Sequence, residues 1–156
     1  MLKYFYIFTL ALAILVGCDK LPENGDLDGM WHLQEVTDLR SNELANQDVK
    51  AKQFYWSFQL DLLQIYSVKE VLYRNELTGE FTHRAYCRFR KTGTQLEVNK
   101  IYVHFDTRDS LLTDSSTTLM ERYGILGNAD VFHIEHLGSK QMILVSDARR
   151  LVFRKF

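Results

Sequence analysis

Cysteine is scarce in this chain: two in 156 residues, with only Cys87 lying beyond position 18. A fold built on disulfides is therefore not on offer once Cys18 is committed elsewhere, and the chain must stand on packing. Proline occurs once, at Pro22, so nothing after it interrupts a strand ladder. Neither sign of charge dominates. The 19 Lys and Arg against 20 Asp and Glu exclude the basic surface that a nucleic-acid partner needs. The longest uncharged apolar run, Tyr4 to Val16, is shorter than the roughly 20 residues of a membrane-spanning helix.

Sites for chemistry are equally thin. His133 and His136 fall on opposite faces of a strand unless a bulge intervenes, and no three or four zinc ligands converge by spacing. His133 and Glu135 share the outward face, which reads as a solvated polar surface. Ser115-Ser116-Thr117-Thr118 lacks a nucleophile elbow and a base partner, and suits helix capping better. Asp106, Asp109 and Asp114 lack the alternation and glycine of a calcium loop. No catalytic residue, metal or cofactor is nominated, and an enzyme is not expected. Cys87 sits in an alternating stretch and reads as a small buried hydrophobe, with a reactive thiol as the lesser alternative.

What is present begins at the N-terminus. Lys3 supplies a positive start, Tyr4 to Val16 has the length of a signal-peptide core, and Gly17 is small. Leu15-Val16-Gly17-Cys18 resembles the lipobox of bacterial lipoproteins. That resemblance implies removal of residues 1–17 and acylation of Cys18, whose several acyl chains would hold far better than one. Residues 18–28, with Pro22, Gly25 and several acidic side chains, read as a flexible tether. Residues 29–156 then form one domain with 18 basic and 20 acidic side chains on the chain from Cys18 onward. The expected place is the bacterial envelope at the outer membrane, facing the periplasm or the surface.

From Gly29 onward, apolar residues alternate with polar ones, the period of β-strands. Strands are predicted over 29–36, 53–59, 62–67, 71–73, 82–90, 95–103, 131–137, 141–146 and 150–155. Leu60-Asp61, Thr92-Gly93, Gly138-Ser139 and Asp147-Ala148 read as tight turns. Thr82 to Arg90 is the clearest case: Ala85, Cys87 and Phe89 face in, while Arg84, Tyr86, Arg88 and Arg90 face out. Asp114 to Tyr123 has helical spacing of Leu119, Met120 and Tyr123, with Gly124 placed as a left-handed cap. It predicts a short helix, lying either over one end of the sheet or on its outside. Glu43 to Ala51 predicts another. About eight antiparallel strands in roughly 125 residues must hide their edges, and closing into an up-and-down barrel does so. The expected fold is all-β: a single antiparallel barrel of about eight strands with one short helix. Bulky Phe54, Trp56, Phe58, Phe89, Phe132 and Phe153 point inward, so the interior should be largely filled, leaving a small or shallow pocket near the mouth.

Gly29-Met30-Trp31 is similar to the Gly-x-Trp of the first strand in lipocalins and other calycins. Tyr123 to Gly127, Phe132 to Glu135, Met142 to Leu144 and Leu151 to Phe156 resemble a family of lipocalin-like bacterial lipoproteins of unknown function. The resemblance implies that Trp31 packs at the closed end under Arg154 as a cation–π pair; a solvated Arg154 is the alternative. It also implies binding of a small apolar or amphipathic ligand at the barrel mouth, where Trp56, Phe58, Phe89, Leu119, Met120 and Phe132 are the candidate lining. The second candidate function is an interaction module that docks to an envelope protein through its outer face. Arg84, Arg88 and Arg90 with Tyr55 and Tyr86 would supply that surface. The default for the arginine strip is a solvated face.

Overall fold

The computed structural model describes residues 23–41, 43–44, 48–75, 78–105, 108–112, 120–127 and 129–156. Their strands are β1 (Gly29–Asp38), β2 (Glu43–Leu44), β3 (Phe54–Gln59), β4 (Leu62–Ser67), β5 (Tyr73–Arg74), β6 (Phe81–Thr82), β7 (Arg84–Thr92), β8 (Gln95–Phe105), β9 (Arg108–Leu111), β10 (Asp130–Leu137), β11 (Gln141–Val145) and β12 (Arg149–Lys155). Eight of them close a ring in the order β1, β3, β4, β7, β8, β10, β11, β12 and back to β1. Every pairing in the ring is antiparallel. The chain is the single up-and-down antiparallel barrel expected from its alternation.

Period two explains why these residues form these strands. β4 buries Leu63, Ile65 and Ser67; β7 buries Ala85, Cys87 and Phe89; β12 buries Leu151 and Phe153. The intervening side chains face water, and ring closure leaves the eight strands without free edges. β3 departs from the pattern, with Phe54, Tyr55 and Trp56 all buried in succession. Tyr55 points outward but is covered by the rings of His32, Tyr66 and Phe156.

The two ends of the barrel differ. At one, short turns join β3 to β4, β7 to β8 and β10 to β11. Leu60 at the first of these adopts φ +56°, a left-handed conformation that side chains seldom take. The chain enters at this closed end through a 3₁₀ turn, Gly25–Leu27, whose Leu27 is fully buried. The Trp31 indole N–H donates to the Leu27 carbonyl at 2.8 Å. At the opposite, open end lie the long connections 39–53, 68–83 and 106–129.

Several elements depart from expectation. In place of a helix over Glu43 to Ala51, the described residues give β2 on the edge of β1 and turns through 48–53. β9 pairs with the upper half of β8, and all four of its residues are exposed, so it carries no apolar signature. β5 and β6 form a separate hairpin rather than a barrel strand. Of the helix expected over Asp114 to Tyr123, residues 113–119 lie outside the described residues. Its end is a 3₁₀ turn, Glu121–Tyr123, closed by Gly124 at φ +92° as the capping pattern anticipated. Met120, Tyr123 and Ile125 from this segment are buried in the same core as Trp56, Phe132 and Phe153. The segment therefore packs into the open end and not on the outside of the barrel.

Candidate functional site

The barrel interior is filled by its own side chains. Trp56 is fully buried, with its ring 5.0 Å from Phe153 and 5.9 Å from Phe132, and Phe58 meets Phe89 at 5.0 Å. From the open end, Tyr123 packs on Phe54 at 4.4 Å, and its carbonyl accepts the Trp56 indole N–H at 3.1 Å. Such a donor seldom stays unpaired when buried, so this bond fixes how deep the 120–125 segment sits. Of the six candidate lining residues, Trp56, Phe58, Phe89, Met120 and Phe132 are packed in the core. Leu119 lies outside the described residues.

A groove of about 880 Å³ opens instead at the rim of the open end. Its walls include Tyr66 and Val68, then Phe81 and Arg84, and from the end of β8 His104 and Phe105. Phe132 also lines a recess of about 480 Å³, whereas neither the groove, that recess nor a third of about 450 Å³ is lined by Trp56, Phe58, Phe89 or Met120. The β5–β6 hairpin makes the groove. It lifts Phe81 off the barrel wall, leaving it 54% exposed beside Val68 at 61%. The Arg74 guanidinium lies 5.4 Å from the Phe81 ring centre, and Arg108 pairs with Glu80 at 3.1 Å. The His83 Nδ1 lies 2.7 Å from the Glu70 carbonyl, and the His104 Nδ1 lies 2.7 Å from Asp109. Arg84 forms no ion pair among the described residues and is exposed. Apolar rings and an uncommitted guanidinium thus share one recess. Arg84 stood out in the sequence as part of a basic strip; Val68, Phe81 and Phe105 did not. Phe81 is an aromatic beside a turn, outside any long alternating run, and Phe105 continues the alternation of β8 past the predicted strand end.

The strip itself is largely neutralised. Arg88 pairs with Asp61 at 2.6 Å and Arg90 with Glu97 at 2.8 Å. Tyr86 meets the His104 ring edge-on at 5.5 Å. The register sets another outer row across five strands: Arg154, His32, Tyr55, Tyr66 and Arg84 stand opposite one another in turn. His32 stacks on Tyr55 at 4.8 Å and Tyr55 on Tyr66 at 5.1 Å, so their faces cover one another and Tyr55 is only 6% exposed. The Tyr66 hydroxyl donates to the Met30 sulfur.

The cation over Trp31 is Lys155, not Arg154. Its Nζ lies 4.9 Å from the ring centre and donates to the Asp26 carbonyl at 2.7 Å. The reason is period two: Phe153 faces in, so Arg154 faces out opposite His32, and Lys155 returns to the Trp31 side. Gly29 makes the approach feasible. At φ +110°, its missing Cβ would meet the Lys155 Cε at 3.3 Å.

Cys87 is a buried free thiol, and burial alone pushes its pKa up, the opposite of an activated nucleophile. A bulge does fall between Ile134 and His136, yet His133, Glu135 and His136 all face solvent. Glu135 is taken by Arg150 at 3.1 Å. Among the described residues, no three His, Cys, Asp or Glu side chains are grouped to hold a metal. No helix among them is long and apolar enough to cross a membrane.

Comparison with known proteins agrees with this geometry. A lipocalin-like protein from Bacteroides uniformis superposes with a TM-score of 0.55 at 19% identity, covering 85% of this chain and all of that one. An uncharacterized protein from Bacteroides eggerthii gives 0.54 at 17% identity, over 83% of this chain and 99% of that one. At such identities these likenesses speak for the fold alone. No curated protein matches the chain. The family model described as a lipocalin-like domain matches residues 13–156, nearly the whole length. With its eight-strand ring and the Gly29-Met30-Trp31 start, the chain belongs to the lipocalin-like domain family.

Proposed function

We propose that this protein is a non-catalytic binding module, held on a bacterial envelope membrane by acyl chains on Cys18, that takes a small apolar or amphipathic ligand in the rim groove. The groove beside Phe81 and Arg84 carries this reading. It has the volume of a small-molecule site, whereas the barrel interior is occupied by Trp56, Tyr123 and their neighbours. Val68, Phe81 and Phe105 suit an apolar body, and the exposed Arg84 suits a polar or anionic end. The competing role, docking of an envelope protein on the arginine strip, has less support, because Arg88 and Arg90 already hold carboxylates. The lipid anchor rests on the Leu15-Val16-Gly17-Cys18 pattern.

Titration with a fluorescent naphthalene sulfonate probe, followed by displacement with a fatty acid, tests the ligand reading. Saturable micromolar binding that Phe81→Ala weakens about tenfold, near 1.4 kcal/mol, is the expected result. Non-saturable binding, or binding indifferent to Phe81→Ala and Arg84→Gln together, sinks it.

A further inference from the structure

The segment between the barrel and Cys18 is shorter in effect than its sequence implies. The Asn24 side chain donates to the Leu60 carbonyl at 2.8 Å and to Asp28 at 2.6 Å, and its backbone N–H donates to Asp28 at 3.0 Å. Leu27 is buried beneath Trp31. Residues 24–28 therefore belong to the barrel, and only residues 18–23 separate Cys18 from that fixed part. Six steps of extended chain reach about 20 Å at most. Asn24, where the fixed part begins, lies at the closed end, beside the Leu60 turn. The barrel wall rises roughly 25 Å, from strands of about ten residues at ~3.3 Å each tilted near 40°, before the open-end connections are counted. A tether of that reach cannot run along the wall and still let the open end touch the bilayer that holds Cys18.

The closed end also carries the chemistry of an interfacial contact. Leu60 is 56% exposed at its hairpin tip, and the terminal Phe156 is 79% exposed. Lys91, Lys140 and Arg154 are exposed at this end and form no ion pair among the described residues. Glu23 and Asp26 are exposed at this end as well, so the apolar tips carry the contact, and the three unpaired cations offset those carboxylates toward an anionic phospholipid surface. We infer that the closed end rests on the bilayer through Leu60 and Phe156, directing the open end and its rim groove away from the membrane. This orientation rests on the acylation of Cys18 proposed above.

The test uses the full-length lipidated protein in vesicles of phosphatidylethanolamine and phosphatidylglycerol carrying a headgroup nitroxide. A fluorophore is attached through Ser139→Cys at the closed end or Asp147→Cys at the open end; the buried Cys87 does not compete. The expected result is several-fold stronger quenching at 139 than at 147. Adding Leu60→Asp and Phe156→Asp should reduce quenching at 139 while the protein stays on the vesicle. Equal quenching at both sites, or more at 147, overturns the orientation; quenching at 139 unchanged by the double substitution overturns the contact. Mass spectrometry of the N-terminal peptide separates the premises. Cys18 without acyl chains overturns the anchor and this orientation with it, whereas acylated Cys18 with equal quenching overturns the orientation alone.

Discussion

The Lys155 ammonium caps the Trp31 ring at 4.9 Å while donating to the Asp26 carbonyl, so one side chain joins the last strand, the first strand and the entry turn. Lys155→Ala should lower stability by about 1 kcal/mol, from the lost cation–π contact and the lost cover of its stem. Arg154→Ala, on the outer face, should stay within about 0.5 kcal/mol of the parent. Urea unfolding midpoints check both; a larger loss for Arg154→Ala would reverse the assignment.

Gly124 admits no side chain. At φ +92°, a Cβ would sit 2.6 Å from the Leu151 Cδ2, and Leu151 is fully buried. Gly124→Ala should cost about 1–3 kcal/mol from backbone strain and overpacking. Combining it with Leu151→Ala should cost less than the sum of the two, since the clash partner is gone. Strict additivity in the double-mutant cycle counts against this packing.

Trp56→Phe should leave the buried Tyr123 carbonyl without its donor, at a cost of about 1–3 kcal/mol. Because Trp56 lies in the core and not in the rim groove, probe affinity at pH 7 should not change in the folded variant. A parallel loss of binding would place the ligand inside the barrel.

Acid should weaken the fold through His32. Burial is the main cause that lowers its pKa below the ordinary 6.5; the bond to the Lys50 carbonyl opposes it in part, and the weaker effects of the Lys50 and Arg154 charges lower it further. The native state therefore holds this proton less readily than the unfolded chain. Its contribution is fully present above about pH 7 and is lost as pH falls through 6.5 toward the lower native value. His32→Gln should flatten the dependence of unfolding free energy on pH between about 7 and 5. Asp130 acts lower down and with the opposite sign: burial raises its pKa, so protonating it favours the native state. A slope that survives in His32→Gln assigns the effect to another group.

Cys87 should be inert until the barrel opens. Its side chain is buried and its thiol is held protonated. Labelling by a thiol reagent across a urea series should coincide with loss of tryptophan signal. Rapid labelling of the folded protein contradicts this burial.

The ring of strands was legible because its elements are half-buried, and alternation is the direct record of that. Leu62 to Ser67 reads as the strand it forms, and Thr82 to Arg90 overlaps β7 with the correct residues inward. β9 and β2 were invisible because both pair through backbone groups at an outer position and bury nothing that a pattern could reveal. The Trp31 partner was legible in principle, since counting by twos from Phe153 selects Lys155; the family pattern pointed one residue away. Spacing of Met120 and Tyr123 marked an apolar face but not its destination, because an element packed over a barrel and one inserted into it bury the same residues. The rim groove was hidden for a different reason: Val68, Phe81 and Phe105 meet only after the β5–β6 hairpin folds back on the wall.

The pairing of β1 with β12 sets Trp31 opposite Lys155, almost the full length of the domain apart in the chain. A ring closed by its first and last strands cannot be completed by a partial chain. During synthesis the N-terminal strands must wait with one side unsatisfied, and the non-local closure makes slow, late folding the natural order of events. Loss of residues 149–156 would remove β12 entirely and turn β1 and β11 into two bare edges, each a template for another copy. For this barrel, truncation at the C-terminus is thus a route to aggregation more than a trimming of stability.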